Sequence, residues 1–395
     1  MFRMAVGHSD EIDPGDAAAE VLRQCDDGLG GERPRAGLLF STYDTELEPL
    51  VAAIRAAYPG IQLAGSTSAG EMSSVLGFQE DSVVLAVFAS DSVDITAGMG
   101  AGISQSPEAA AAAALEQALA ATAEPPRLCI ALLSVTGAES MKALDELQAR
   151  IGDVPVIGGG SAPATDPGEP RIARQIWNDR IEDDAAVVLA FSGPLSVSFG
   201  IDTGWRPIGA RGRVTESDGD VIRAIDDEPA LAFYQRYLGP GGRPTPANPL
   251  AVFESDAEEL YLRVPRNSDA VEGTLLTAGV VPHGVEVQLT VAATDEIFAG
   301  TTSAVRKALA GFPAASAPDA ALVFSCAIRK LMLGTRTGVE LEIARRELGD
   351  AIPISGFYCF GEIAPMQRGG VRFHNETMVA VLLGESPAAV PTPSG

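Results

Sequence analysis

The feature that most constrains the fold is a pattern that recurs three times along the chain. Each unit runs from an apolar strand with a nearby serine, through an amphipathic helix, to a short strand ending in glycine and then a strongly apolar strand. The opening strands are Gly37–Phe40, Leu128–Val135 and Ala320–Phe324, the serines are Ser41, Ser134 and Ser325, and the glycines are Gly65, Gly158 and Gly356. Phe40 is as far from Gly65 as Leu133 is from Gly158. A shared order at matched spacing predicts three copies of one structural unit.

The periodicity inside each unit predicts the fold class. Leu47, Leu50, Val51 and Ile54 recur at the spacing of one helix face. The closing strands are continuous apolar runs of the kind buried on both faces of a sheet; they are Ser82–Ala89, Ala185–Phe191 and Thr377–Leu383. We therefore predict an α/β (α+β) fold with mixed sheets and packed helices.

Two domains and a connection are predicted from the order of these units. The first two units form an N-terminal domain at 1–205, and the third lies in a C-terminal domain at 250–384. Between them, 206–249 is predicted as a connecting helix followed by a hinge loop at Gly239–Pro249, which is rich in glycine and proline. The Pro- and Ala-rich end, 385–395, is predicted to be a disordered tail.

Charge and composition narrow the classes of partner. The chain has 28 basic and 53 acidic residues, for a net charge of −25. Such a surface repels phosphate backbones and anionic lipids, so we expect neither nucleic acid nor membrane as a partner. None of the four cysteines forms a C-x-x-C pair, so no metal site is expected. The start of the chain lacks a signal-peptide core and no apolar stretch is long enough to span a membrane, which predicts a cytoplasmic protein.

Several longer strings resemble one known family. They are QLAGSTSAGEM (62–72), the segment Gly204–Gly239, LVFSCAIRKLMLG (322–334), ISGFYCFGEIAP (354–365) and FHNETMVAVLLG (373–384). These strings resemble the N-terminal and C-terminal modules of the FIST family, over about 1–384. The resemblance implies a bacterial sensory protein that binds a small ligand such as an amino acid. It also implies a separate signalling partner, either a kinase, a cyclic-dinucleotide enzyme or a chemoreceptor. Some members resemble haem-binding nitric-oxide sensors, so haem is an alternative where otherwise no cofactor is expected.

The segment Gly65–Glu71 is the first candidate for ligand binding. It reads as a glycine-rich turn after a strand, with Gly65 and Gly70 allowing close backbone approach. Ser66, Thr67 and Ser68 offer hydroxyl groups to an anion, although a tight turn capped by its own hydroxyls explains them equally well.

The matching segment of the third unit is the second candidate. Gly356 and Gly361 bracket an aromatic turn in which Phe357 and Tyr358 either wall an apolar pocket or pack in the core. Glu71 and Glu362 follow glycine in the same way in the first and third units. A matched acid suits a ligand ammonium group, but it suits a helix start as well.

The third candidate is the end of the strand at 320–325, with the residues before the last strand. Ser325, Cys326 and Arg329 lie where α/β folds gather binding groups, and an arginine there suits a carboxylate. A surface ion pair for Arg329 and a packed thiol for Cys326 are the simpler interpretations.

His374 and Asn375 begin the closing strand, and His374 is a pocket residue, a general base or a haem ligand. A Cys326–His374 dyad would make the chain a hydrolase or transferase, although no convincing catalytic motif is present.

Overall fold

The fold of this chain is taken from a computed structural model that describes residues 1–134, 137–161, 173–254, 259–314, 316–366 and 370–386. Most of the predicted tail, 387–395, lies outside the described residues. The α+β class with mixed sheets is confirmed.

Three six-stranded sheets repeat one strand order. The first consists of β1 (Phe2–Ser9), β6 (Val83–Ser90), β2 (Ala36–Thr42), β3 (Gln62–Ser68), β10 (Gln175–Trp177) and β11 (Arg180–Glu182). The second consists of β7 (Asp94–Ala101), β12 (Ala185–Ser192), β8 (Pro126–Leu133), β9 (Val156–Gly160), β24 (Glu362–Pro365) and β25 (Val371–His374). The third consists of β13 (Leu195–Asp202), β26 (Met378–Glu385), β22 (Ala320–Cys326), β23 (Ile354–Cys359), β4 (Glu71–Ser73) and β5 (Gly77–Gln79). The three predicted units are thus three sheets of equivalent topology.

Each sheet takes four strands from its own unit and a hairpin from another. The first unit gives β4–β5 to the third sheet, the third unit gives β24–β25 to the second, and the second unit gives β10–β11 to the first. The exchange is cyclic, because every unit gives one hairpin and receives one. The backbone groups of β3, β9 and β23 are therefore paired by a different unit, which ties the three units into one body.

Helices cover one face of each sheet, and the other faces meet in a shared core. The helices are α1 (Pro14–Leu29) and α2 (Leu47–Ala57) on the first sheet, α3 (Pro107–Leu119) and α4 (Ala138–Ile151) on the second, and α6 (Thr294–Gly311) and α8 (Val339–Leu348) on the third. The short helix α7 (Ala327–Leu333) follows β22. The central core holds Phe40, Leu132 and Phe324, which occupy matching positions in the three units. The continuous apolar strands are buried on both faces because each lies between helices and this core.

A fourth sheet is inserted into the third unit, between β13 and α6. We call residues 203–293 the inserted module; its elements are β14 (Arg206–Asp218), β15 (Val221–Ile225), β16 (Glu228–Pro229), α5 (Ala230–Leu238), β17 (Leu250–Phe253), β18 (Tyr261–Arg263), β19 (Pro265–Asp269), β20 (Thr274–Thr277) and β21 (Glu286–Val291). It has a core of its own. The segment predicted as a connecting helix therefore begins with strands, because Val221 and Ile225 belong to β15 and only α5 is helical.

Strand pairing crosses the predicted domain boundaries. β14 and β17 both pair with β21, so the predicted hinge loop at Gly239–Pro249 lies inside the inserted module. β13, which falls in the predicted N-terminal domain, pairs with β26 at the other end of the chain. The division into 1–205 and 250–384 stays a prediction.

The repeated glycines serve strand packing rather than turns. A Cβ atom on Gly65, Gly158 or Gly356 would lie 2.2, 2.0 or 1.9 Å from the carbonyl oxygen of the residue paired with it on the neighbouring parallel strand. The predicted turn at Gly65–Glu71 is wrong in extent, since β3 runs on to Ser68 and only Ala69 and Gly70 turn. Likewise β23 runs on to Cys359, beyond Gly356.

Candidate functional site

The carboxyl ends of the parallel strands β3, β9 and β23 are linked by backbone hydrogen bonds to residues of the other units. The turn at Ala69–Gly70 exchanges two backbone hydrogen bonds of 2.8 Å with Tyr358. The turn at Phe360–Gly361 exchanges two of 2.9 Å with Gly160, and the amide of Thr67 donates to the carbonyl of Arg174 at 3.0 Å. Positive φ angles of 127° at Gly70 and 110° at Gly361 shape the two glycine turns. Binding groups gather at this edge of α/β sheets.

Three polar side-chain pairs occupy equivalent positions at this edge, one in each sheet. They are Ser68 donating to Glu71, Gln175 donating to Ser161, and Cys359 donating to Glu362 at 3.4 Å. Glu71, Gln175 and Glu362 are the first residues of the three exchanged hairpins, and all are fully buried. Gln175 and Ser161 were missed in the sequence. In the first and third units the two members are three positions apart, whereas residues 162–174 separate them in the second.

Glu71 belongs to a buried chain of hydrogen bonds in the first unit. Ser82 donates to its carboxylate at 2.5 Å, and the Nε2 atom of His8 lies 3.0 Å from the Ser82 hydroxyl. Burial raises the pKa of Glu71 to about 7, although the hydrogen bonds from Ser68 and Ser82 favour the charged form. Near neutral pH this carboxyl therefore titrates inside the protein.

A second carboxyl accompanies Glu362 in the third unit. The Glu376 side chain is fully buried, and its carboxyl oxygens have no hydrogen-bond partner among the described residues. Its backbone adopts a left-handed conformation with φ of 54°, which is uncommon for glutamate. Burial raises the pKa of Glu362 to about 8 and that of Glu376 well above its usual range, and the charge of Glu362 adds to the rise at Glu376.

Glu376 was also missed in the sequence, although a signal was present. The first and third units both carry an acid and a hydroxyl residue directly before the closing strand: Asp81–Ser82 and Glu376–Thr377. Asp81 has nearly the same φ, 52°, but is exposed. The amide of Thr377 donates to the Glu362 carboxylate at 3.0 Å, as the hydroxyl of Ser82 donates to Glu71.

Arg329 does clamp a carboxylate, but one that belongs to the protein. Its Nε and Nη2 atoms donate to the same oxygen of Glu340 at 3.1 and 2.5 Å, and both side chains are fully buried. Ser325 and Tyr358 donate to the other oxygen of Glu340 at 3.0 and 2.7 Å. These three predicted ligand contacts are therefore occupied by an internal acid on the helix side of the third sheet.

The aromatic candidate Phe357 packs in the core, whereas the hydroxyl candidate Ser66 is buried without a hydrogen-bond partner among the described residues. Phe357 stacks on Phe40 with ring centroids 4.1 Å apart and meets the edge of Phe324, which is the core-packing alternative. The hydroxyl of Ser66 is buried and has no partner among the described residues. It lies on the strand position opposite Gln175.

Asn375 bonds the third unit to the inserted module, whereas His374 bonds within its own hairpin, β24–β25. The His374 Nε2 atom lies 3.0 Å from the carbonyl oxygen of Ala364, and burial lowers the pKa of His374 to about 4. Asn375 accepts a 3.2 Å hydrogen bond from the amide of Val264. Haem ligation through this Nε2 would have to break the first contact.

The Cys326 thiol faces carboxyl groups. Burial and the nearby Glu362 and Glu376 raise its pKa well above the usual range, which keeps the thiol protonated. This is the opposite of what a nucleophilic cysteine needs, so the Cys326–His374 dyad gains no support.

A cavity of about 720 Å³ lies elsewhere, at the amino end of β2, and is lined by Glu32, Arg33 and Arg35 among others. Within the described ranges no group of three or more His, Cys, Asp and Glu side chains is arranged to hold a metal ion.

Comparison with known proteins identifies the class to which this fold and site belong. The model of the FIST N domain matches residues 35–228 and that of the FIST C domain matches residues 230–365. The chain belongs to the FIST family, whose domains are sensory domains that bind small ligands in signal transduction.

The other comparisons add little to this assignment. A solved structure, a cyanuric acid hydrolase from A. caulinodans, covers 98% of this chain and 100% of its own at 11% identity, but its TM-score of 0.35 is too low to support an argument. None of the curated proteins compared matches this sequence significantly. Among the helices of the described ranges, none is both long and apolar enough to cross a membrane.

Proposed function

We propose that the chain is a sensor whose ligand places a positively charged group, such as the ammonium group of an amino acid, against Glu376 and Glu362. The observation that carries this proposal is the Glu376 carboxyl, which is buried without a hydrogen-bond partner among the described residues. A buried polar group without a partner costs free energy, and strained backbone conformations concentrate at functional sites. An ammonium group would supply the missing donors.

The electrostatics of the site favour a cation over an anion. The Glu362 and Glu376 carboxyls hold on to protons in the free protein because burial disfavours their charged forms, and the charge of Glu362 adds to this at Glu376. A bound ammonium or guanidinium group would stabilise both carboxylates through charge-assisted hydrogen bonds. Binding would then release protons, and affinity would rise with pH across the titration of Glu362.

The location of the site suits signalling. Glu376 acts electrostatically on Tyr234 of α5, and its neighbour Asn375 bonds to Val264 of the inserted module. A ligand at Glu376 would therefore affect the third unit and the inserted module together. The changed surface would be read by a separate kinase, cyclic-dinucleotide enzyme or chemoreceptor, as the family resemblance implies.

Thermal denaturation with a panel of amino acids, primary amines and small carboxylic acids tests the proposal. At least one ammonium compound should stabilise the protein, by about 2.7 kcal/mol at a hundred times its dissociation constant. The Glu376→Gln variant should lose that shift, whereas the matched Asp81→Asn variant, which changes the exposed equivalent in the first unit, should keep it. Tetramethylammonium, which donates no hydrogen bonds, should have no effect. The proposal fails if no ammonium compound stabilises the protein, or if the shift survives in Glu376→Gln.

A further inference from the structure

The segment that enters the inserted module, Thr203–Gly204, packs against helix α6, which begins directly after the module. We call this contact, with Gly204 and Gly300 at its centre, the neck. A Cβ atom on Gly300 of α6 would lie 2.6 Å from the backbone nitrogen of Gly204. The two segments thus approach as closely as glycine alone permits. A change in the orientation of the inserted module would therefore alter this contact.

Arg329 binds both sides of the neck and the candidate site together. Its Nη1 atom donates to the carbonyl of Thr203 and, at 3.3 Å, to the carbonyl of Glu376. Its Nη2 atom donates to the carbonyl of Ile297 at 3.2 Å and to the hydroxyl of Thr301 at 2.9 Å. One buried guanidinium therefore joins the entering segment, the leaving helix and the residue with the unpartnered carboxyl.

Other contacts of the module with the third unit lie near the same place. Arg263, which is fully buried, donates at 2.9 Å to the carbonyl of Phe373, and Val264 bonds to Asn375. Trp205, at the entrance, packs with Ile297 and Leu333 in a small apolar cluster, and its ring faces the Arg329 guanidinium at 5.9 Å. Residues 373–376 are thus held from one side by the module and from the other by Arg329.

We propose that Arg329 is a positioning residue that sets the orientation of the inserted module, and that the module is the moving part through which the Glu376 site signals. The second half rests on the function proposed above. A cation that engages the Glu376 carboxyl shifts the 374–376 turn, and the carbonyl of Glu376 passes the shift through Arg329 to Thr203 and Ile297. The signal is carried by packed, hydrogen-bonded contacts and not by a flexible linker.

Hydrogen–deuterium exchange on the full chain tests the role of Arg329 without any ligand. Arg329→Lys keeps a charge beside Glu340 but cannot reach the two neck carbonyls. We expect amide exchange at the neck and at the Val264–Asn375 contact to rise by at least about tenfold, with no change in β1 and β6 of the first sheet. Gly300→Ala, which forces the neck apart and leaves Arg329 intact, should give the same pattern.

The controls separate this role from general stability. Gly311 lies in α6 as Gly300 does, but a Cβ atom there would meet its nearest neighbour at 3.5 Å. The amides of the Gly311→Ala variant should therefore exchange at the wild-type rate. The proposal is overturned if Arg329→Lys and Gly300→Ala exchange like the wild type, or if exchange rises equally in all three sheets.

A second arm uses methylammonium, the smallest primary ammonium probe, with sodium and tetramethylammonium as matched salts. If methylammonium raises the melting temperature of the wild type but not of Glu376→Gln, exchange at the neck should change in the wild type and not in Arg329→Lys. A melting shift with unchanged neck exchange overturns the coupling and leaves the binding site intact. If no shift occurs, the failure belongs to the proposed ligand, and the exchange of the two neck variants still decides the role of Arg329.

Discussion

Arg329 and Glu340 form an ion pair with both side chains fully buried and 2.5 Å between Nη2 and Oε1. Ser325, Thr301 and Tyr358 complete the hydrogen bonds of the Glu340 carboxylate. Burial of two charges is tolerated here because both carboxylate oxygens of Glu340 have donors, and the arginine also donates to backbone carbonyls.

Removal of the Glu340 charge should destabilise the protein strongly. Glu340→Gln leaves the Arg329 guanidinium buried without a counter-charge, and we expect a loss of about 3–5 kcal/mol in the free energy of unfolding. Urea denaturation of the wild type and the variant measures this difference in the free energy of unfolding. Asp350→Asn, which breaks the exposed pair with Arg345, should change stability by no more than about 1 kcal/mol. A Glu340→Gln variant as stable as the control would contradict the account of this pair.

Glu71 should make stability depend on pH. Its folded pKa of about 7 lies above the usual value, so the folded state keeps a proton that the unfolded state has lost. The free energy of unfolding should therefore fall as pH rises from about 4.5 to 7, by about 3 kcal/mol from this group. Glu71→Gln should remove this contribution, and Gln175 shows that glutamine suits the equivalent position.

The measurement is the difference in stability between wild type and Glu71→Gln as a function of pH. The exposed control Glu124→Gln should follow the wild type throughout. Parallel curves for wild type and Glu71→Gln would show that burial does not shift this carboxyl.

Cys326 should react slowly in the native protein. The thiol is buried and held protonated by its surroundings, so iodoacetamide at neutral pH should label it far more slowly than in denaturant. Intact-mass measurement over time gives both rates. Rapid native labelling that maps to Cys326 would revive the hydrolase or transferase alternative.

Haem binding is tested by the visible absorption spectrum of the protein. Because the His374 Nε2 atom is engaged with the carbonyl of Ala364, we expect protein expressed with added haem to show no Soret band. A Soret band that disappears in His374→Ala would contradict this and favour the gas-sensor alternative.

The three repeated glycines should be equally intolerant of a side chain. In Gly65→Ala, Gly158→Ala and Gly356→Ala the added Cβ meets a backbone carbonyl that cannot move without breaking the sheet. Each variant should lose about 3 kcal/mol or more in thermal or chemical denaturation. Gly338→Ala, whose Cβ would meet only Phe78 at 3.8 Å, is the control. Full tolerance at one of the three positions would mean that the units are not equivalent there.

The repeat, the helix that follows the opening strand of each unit and the apolar closing strands were predicted from the sequence, because burial on a sheet or helix face imposes a local period on the residues. The matched acids Glu71 and Glu362 were found because both follow a glycine at the same place in the first and third units. Local pattern also misled, since β3 and β23 continue beyond the glycines that looked like turns.

The exchange of hairpins and the partners of each buried charge were decided only by the tertiary structure. Gln175 joins Ser161 across residues 162–174, and Arg329 meets Thr203 and Ile297 from distant parts of the chain. Such pairings depend on which strands neighbour each other in space, and the local period of a sequence carries no information about that. For the same reason Glu376, one acid among many in an acidic chain, became distinctive only when the fold enclosed it and provided no described partner.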